Sequence, residues 1–271
     1  MNQCSICPRL CAIDRQVTRG FCKAPWNPVV ASVMVHRGEE SVISGTRGSG
    51  TIFFAGCNLG CVFCQNFDIS QQCYGEEVTP KELADTFMEL EKRGVHNVNL
   101  VTPGHFVPPI VEAIKLANDM GIKVPFVYNS NGYDSLSSLE ALDGLIDIYM
   151  PDLKYGDDAY GQRYSNVPDY FSIASKALME MYRQVGDPVI QNGVMKRGVL
   201  IRHLVMPGLL DDSFAILDWI KANTPSAIVN VMPQYRPEYR ASEYQEINRR
   251  PSNVEFQKVV NYLEELGLQE G

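Results

Sequence analysis

From Thr51 onward the chain repeats one pattern, an apolar run of strand length followed by a helical stretch with its own start and stop signals. Residues 51–55, 97–101, 123–128, 146–150, 199–205 and 228–232 read as strands, each followed by a helix. Thr79-Pro80-Lys81-Glu82 is a capping box with proline in the first turn, Ser252-x2-Glu255 is another, and Gly94, Gly121 and Gly267 mark stops. Helices are expected over 82–93, 107–120, 136–142, 170–185, 211–222 and from Ser252 to Leu266, with a polar segment over 155–169. Six such units dictate an α/β fold with a parallel sheet covered by helices, and six are too few to close an eight-fold barrel. A strand over 29–36 precedes them, and Asn192-Gly193 predicts a hairpin turn within 189–197.

At 271 residues the chain can bury a full core as one unit. Its formal net charge of −8 excludes a surface built to neutralise nucleic-acid phosphates, although Arg236, Arg240, Arg249 and Arg250 form local basic patches. No apolar run approaches a membrane span, and Met1-Asn2-Gln3-Cys4 carries no basic or apolar leader signal, so a cytoplasmic location without membrane partners is expected. In that reducing compartment, the thiols clustered at these spacings read as metal ligands rather than disulfides.

Two cysteine sets stand out. Cys57-x3-Cys61-x2-Cys64 directly follows the first apolar run of the repeat. Three thiolates on one loop hold three irons of a [4Fe-4S] cluster and leave the fourth open to a non-protein ligand, the mark of a reactive site. Zinc ribbons instead pair their cysteines as C-x2-C twice over. Cys4-x2-Cys7-x3-Cys11-x10-Cys22 is a complete set for one zinc ion or one second cluster, and it defines a cysteine-rich leader over 1–28 ahead of the unit at 29–271. Cys73 belongs to neither set and reads as a buried structural thiol.

The triad, with Phe63 just before its last cysteine, resembles the signature of the radical S-adenosylmethionine (SAM) superfamily. The longer string Gly56-Cys57-Asn58-Leu59…Cys64-Gln65-Asn66 is similar to the pyruvate formate-lyase activating enzymes and their relatives. That resemblance implies an open (βα)6 partial TIM barrel with a small N-terminal cysteine-rich extension. It also implies reductive cleavage of SAM at the cluster to a 5′-deoxyadenosyl radical that abstracts hydrogen from a substrate. It further implies a reductant such as flavodoxin or ferredoxin and, as substrate, a glycyl radical enzyme, another peptide or a small metabolite. An iron–sulfur electron carrier without SAM chemistry is the remaining alternative.

Every strand ends in polar residues, where α/β barrels place their ligands. These are the cysteine loop, Thr102-Pro103-Gly104-His105, Asn129-Ser130-Asn131-Gly132, Asp152-Leu153-Lys154, Arg202-His203 and Pro233-Gln234. The resemblance assigns Phe63 to adenine packing, and Lys154 and Arg202 to the SAM carboxylate. Asn129, Ser130 and Asp152 it assigns to a monovalent cation beside that carboxylate, weakened where Asn129 replaces an aspartate. Thr102-Pro103-Gly104 stands where activases carry the Gly-Gly-Glu-Pro turn that meets the SAM amino group, and lacks its glutamate, so backbone carbonyls supply that contact and His105 becomes a candidate for substrate chemistry. Asn131 and Gln234 complete the expected SAM contacts. His36 and Glu39 weigh as substrate-side acid/base groups against a solvated turn, and the glycines of 44–50 suggest close approach to a ligand or another segment.

Overall fold

The computed structural model describes residues 3–271. In chain order the elements are β1 (Val29–His36), α1 (Ser41–Ser44), β2 (Ser49–Phe54), α2 (Phe67–Gln72), β3 (Glu76–Glu77), α3 (Pro80–Lys92) and β4 (Val98–Val101). Then come α4 (Val107–Asp119), β5 (Phe126–Ser130), α5 (Leu136–Leu142), β6 (Ile148–Pro151), α6 (Asp158–Ser165), α7 (Tyr170–Val185) and β7 (Val189–Gln191). The chain ends with β8 (Val194–Leu204), α8 (Leu210–Asn223), β9 (Ile228–Met232), α9 (Asn253–Glu265) and β10 (Gln269–Glu270).

The six expected strands form one parallel run, β2-β4-β5-β6-β8-β9. Antiparallel β1 and β3 extend one edge and β10 the other, so the barrel stays open. Side chains alternate across the sheet as the pleat requires. Phe126, Tyr128, Val98 and Leu100 pack outward against the helices, while Val127, Ile148, Met150, Leu200 and Ile228 face the lumen. Ile43 of α1 joins that second cluster and plugs the lumen at the strands' N-terminal end.

Helix burial follows sequence periodicity. Along α7, Ala174, Ala177, Leu178 and Met181 recur at helical spacing and are all buried. Both expected capping boxes form, at Thr79 with Glu82 and at Ser252 with Glu255. Several segments depart from the sequence reading, the short elements α1, β3 and β10 among them. Part of the expected polar segment is α6, started by the Asp157 side chain accepting from Ala159 N. Its apolar periodicity is weak, and the helix is held by Gly161 packed against Tyr170 of α7 and by the buried Tyr164. The expected hairpin and fifth strand are continuous, because Gly198, at φ 128 and against Pro188, lets β8 run on without a break. Helix α2 buries no residue of its own and was not foreseen.

Asp212, in the first turn of α8, is buried and accepts from Gly156 N at 2.9 Å. Burial lifts its carboxyl to about 6. That value lies above the ~3.9 of an unfolded chain, so its stabilisation is full below pH ~3.9 and is lost as pH rises through the folded value. Asp212→Asn should therefore gain on wild type by roughly 2–3 kcal/mol between pH 4 and pH 6. Urea unfolding across that range checks this, and parallel profiles for the two proteins would contradict it.

Candidate active site

Strand β2 delivers the chain to the cysteine loop through Gly56, at φ 80. A Cβ there would lie 2.5 Å from Cys22 O and 3.1 Å from His105 Nε2, so only glycine fits. Beyond it, Cys57, Cys61 and Cys64 line one cavity of about 310 Å³ at the C-terminal ends of the strands. Each thiol has a polar neighbour. Cys57 Sγ accepts from Leu59 N at 3.4 Å and from Asn131 Nδ2 at 3.3 Å. Cys61 Sγ lies 3.0 Å from Ser165 Oγ, and Cys64 Sγ 3.1 Å from Ser70 Oγ. Burial pushes the Cys57 thiol up to about 12 and the Cys61 thiol to about 11. Metal binding there would release their protons.

Phe63, Thr102, Asn129, Ser130, Asn131, Asp152, Lys154, Arg202 and Gln234 line the same cavity. Its polar wall is a chain of contacts. Lys154 Nζ donates to Asp152 Oδ2 at 2.6 Å, and Arg202 donates to Asp152 Oδ1 at 3.0 Å and to Asn129 Oδ1 at 2.6 Å. Burial works against the Asp152 charge, yet Lys154 and Arg202 outweigh it and hold the carboxyl below its usual range. The Arg202 guanidinium is thus engaged on several sides, Glu39 Oε1 lying 3.5 Å below it, and Lys154 is the cation nearer the thiols, raised by Asp152 and Cys61 against the cost of burial.

Thr102 has φ 61, an outlier for a β-branched residue, held by its N–H donating to Asn129 O at 2.8 Å. Gln65 Nε2 donates to Gln234 O at 3.1 Å across the rim, and Phe63 packs on Tyr235 with ring centroids 5.6 Å apart. Asn131 Nδ2 also donates to Asn58 Oδ1 at 2.7 Å, tying the third strand end to the cysteine loop.

Pro103, Gly104 and His105 do not line the cavity. Gly104 sits against Asp134, where a Cβ would lie 2.5 Å from Oδ1. His105 is 1% exposed, with Nε2 2.9 Å from Ala55 O, and burial lowers it to about 3. Arg15 of the leader donates to His105 O. His105 therefore stands behind the loop, joining leader to barrel.

The leader packs on the same loop. Arg9, stacked over Phe21 at 3.5 Å, donates to Asn58 O at 2.8 Å. Cys4, Cys7, Cys11 and Cys22 lie close enough that Cys7 feels the other three, and burial pushes its thiol up to about 12. Cys73 caps α2 in a left-handed conformation beside Cys22. Among the described residues, no three His, Cys, Asp or Glu side chains close on a point as ligands of a single ion would. That holds for Cys57, Cys61 and Cys64 as it does for the leader.

Sequence reasoning missed the floor of the site. Glu39, weighed mainly as a solvated turn, points into the lumen with its side chain 13% exposed and accepts from Asn99 Nδ2 at 2.8 Å. Asn99 and Asn230 are single polar residues inside otherwise apolar strands, and that interruption was the available signal of a polar lumen. Among the described residues, no helix is long and apolar enough to cross a membrane.

The model of the radical SAM superfamily matches residues 51–220. An uncharacterized protein of Methanocaldococcus jannaschii is 36% identical over 275 residues, covering 98% of this chain and 76% of that protein. Among solved structures, methylornithine synthase superposes with a TM-score of 0.57 at 17% identity, covering 80% of this chain and 62% of that one. A radical SAM methyltransferase from Sphaerobacter thermophilus gives 0.56 at 14% identity, covering 82% and 65%. This chain spans less than two thirds of either structure, and at these identities the likeness is one of fold, the open barrel.

Proposed function

The chain belongs to the radical SAM superfamily, an enzyme family that uses a [4Fe-4S] cluster and SAM, and from that premise we propose that Cys57, Cys61 and Cys64 hold the cluster and that SAM fills the cavity beside them. One observation carries the reading: the three thiols share a single cavity with Asp152, Lys154, Asn129 and Arg202. The donor set fits. Three thiols, each beside an N–H or hydroxyl group, suit thiolate ligands of a cluster with one open iron. The cluster would supply the electron that cleaves the bound SAM.

The chain's own residues bind, orient and shield. Lys154 offers its ammonium toward the SAM carboxylate, Asp152 fixes that ammonium, and Arg202 holds Asp152 from the other side. Phe63, braced by Tyr235, provides an apolar face for adenine, and the Gln65–Gln234 contact narrows the mouth against water. Calorimetry with SAM on anaerobically reconstituted protein tests this. Absence of binding would favour an electron carrier without SAM chemistry.

The narrower reading is hydrogen abstraction from a glycyl residue of a partner enzyme, with flavodoxin or ferredoxin as reductant. It rests on Asn131-Gly132, Met150-Pro151-Asp152-Leu153-Lys154 and Ile201-Arg202, the activase-like segments that supply this wall. A glycyl doublet in electron paramagnetic resonance with a copurifying partner supports it. SAM cleavage with no such signal points to another peptide or a small metabolite. Within the same reading, Cys4, Cys7, Cys11 and Cys22 hold a second metal. A Cys4→Ala/Cys7→Ala double variant should lose either about four irons with sulfide or one zinc while the barrel cluster stays. Unchanged iron and zinc contents would leave the leader without a metal.

A further inference from the structure

Beneath the cavity lies a charged floor that SAM binding does not account for. It is one layer below the strand ends, at mid-strand positions where Asn99 pairs in register with Thr51 and Val127, and Asn230 with Arg202. Glu39 and Glu40 enter it from the chain just before α1. Glu39 Oε2 accepts from Asn99 Nδ2 at 2.8 Å and Glu40 Oε1 from Asn230 Nδ2 at 2.7 Å. Burial, and the Glu40 carboxyl nearby, raise the Glu39 carboxyl above its ordinary value.

Two acceptors on this floor have no donor. Asn99 is wholly buried, its amide turned into the lumen by its grip on Glu39, and its Oδ1 is without a partner. Glu40 Oε2 is buried and likewise without one. Charge is unbalanced in the same direction. With both glutamates ionised, Glu39, Glu40 and Asp152 exceed the two cations bound among them, Lys154 and Arg202, by one negative charge. Burial of an unpaired charge is costly enough that something must offset it.

We propose that a single alkali cation, sodium or potassium, sits on this floor between Glu40 Oε2, Asn99 Oδ1 and the Glu39 carboxylate. The donors are all hard oxygens, which select s-block ions over zinc or iron. The deficit is one charge, which a divalent ion would overshoot. This site is distinct from a cation beside Asn129 and Asp152 at the strand ends. Its role is to let Glu39 and Glu40 remain ionised together, so that Glu39 braces Arg202 from below.

Crystals grown with rubidium as the only alkali ion test the proposal directly. An anomalous peak within coordination distance of Glu40 Oε2 and Asn99 Oδ1 is expected. A water there, or no peak, would mean that the two glutamates share a proton instead and would overturn it. In solution, replacing N-methylglucamine by potassium at equal ionic strength should raise the wild-type Tm by about 2–4 °C, on the scale expected for a chain of this size. Glu40→Gln should abolish that rise. An equal Tm of wild type in both salts counts against the site whether or not the variant folds. SAM binding is measured separately, so failure here leaves the SAM site untouched.

Discussion

Alanine at Cys57, Cys61 or Cys64 is expected to bring SAM cleavage by anaerobically reconstituted protein down to the uncatalysed background, and to remove about four irons per chain. The reason is the minimal donor set. On the proposed assignment three thiols serve a cluster whose fourth iron must stay open, and no fourth cysteine lines the cavity to replace a lost one. Cys73, outside the cavity and capping α2, is the control, and Cys73→Ala should keep both iron and cleavage. Cleavage retained in all three triad variants would sink the cluster assignment. Loss of iron in the Cys73 variant would instead bring that thiol into a metal site.

Asp152→Ala should be the most destabilising single change in the polar wall. Its carboxylate is shared by Lys154 at 2.6 Å and Arg202 at 3.0 Å, with side chains only 15–16% exposed. Removing it leaves the buried Lys154 ammonium without a carboxylate and Arg202 with the more distant Glu39 alone, a loss of about 3–5 kcal/mol and a Tm drop on the order of 10 °C. The exposed pair Lys81–Asp85 has the same 2.6 Å contact with side chains 61% and 50% exposed. Asp85→Ala should cost under about 0.5 kcal/mol, because water and salt screen that pair. The Asp152 carboxyl is held below its usual range, so its stabilisation is present above pH ~3.9 and is lost as pH falls through its folded value. Urea unfolding should accordingly show an undiminished gap between wild type and Asp152→Ala from pH 7 to pH 4, closing only below that. SAM affinity should fall with it, since Lys154 loses its anchor.

Much of this was legible in one dimension, for physical reasons that differ by element. Strands of the parallel sheet are buried on both faces and so are mostly apolar, which is why β9 matches its expected limits, while the half-exposed antiparallel β1 was legible from its β-branched residues. Helices α5 and α7 carry their own periodicity and likewise match. Helices α2 and α6 carry little, α2 burying no residue of its own and α6 resting on its Asp157 cap and the buried Gly161 and Tyr164. The cysteine triad, Asp152, Lys154 and Phe63 were readable because strand ends in such barrels converge. His105 sat at a strand end too, yet its ring turned behind the loop to Ala55.

Sequence alone determined the sheet order's raw material, the three-cysteine spacing of Cys57, Cys61 and Cys64 on one loop, and the ring of polar strand ends, because covalent spacing and hydrophobic period are local properties. Tertiary structure alone decided which charges meet. Glu39 and Arg202 are far apart in the chain and come within 3.5 Å only because α1 folds back into the barrel mouth opposite the cavity. The leader's hold on the cysteine loop, through Arg9 on Asn58 and the Cys22 carbonyl against Gly56, is of the same kind. Such contacts depend on how buried surfaces close around one another, and no local spacing encodes that closure.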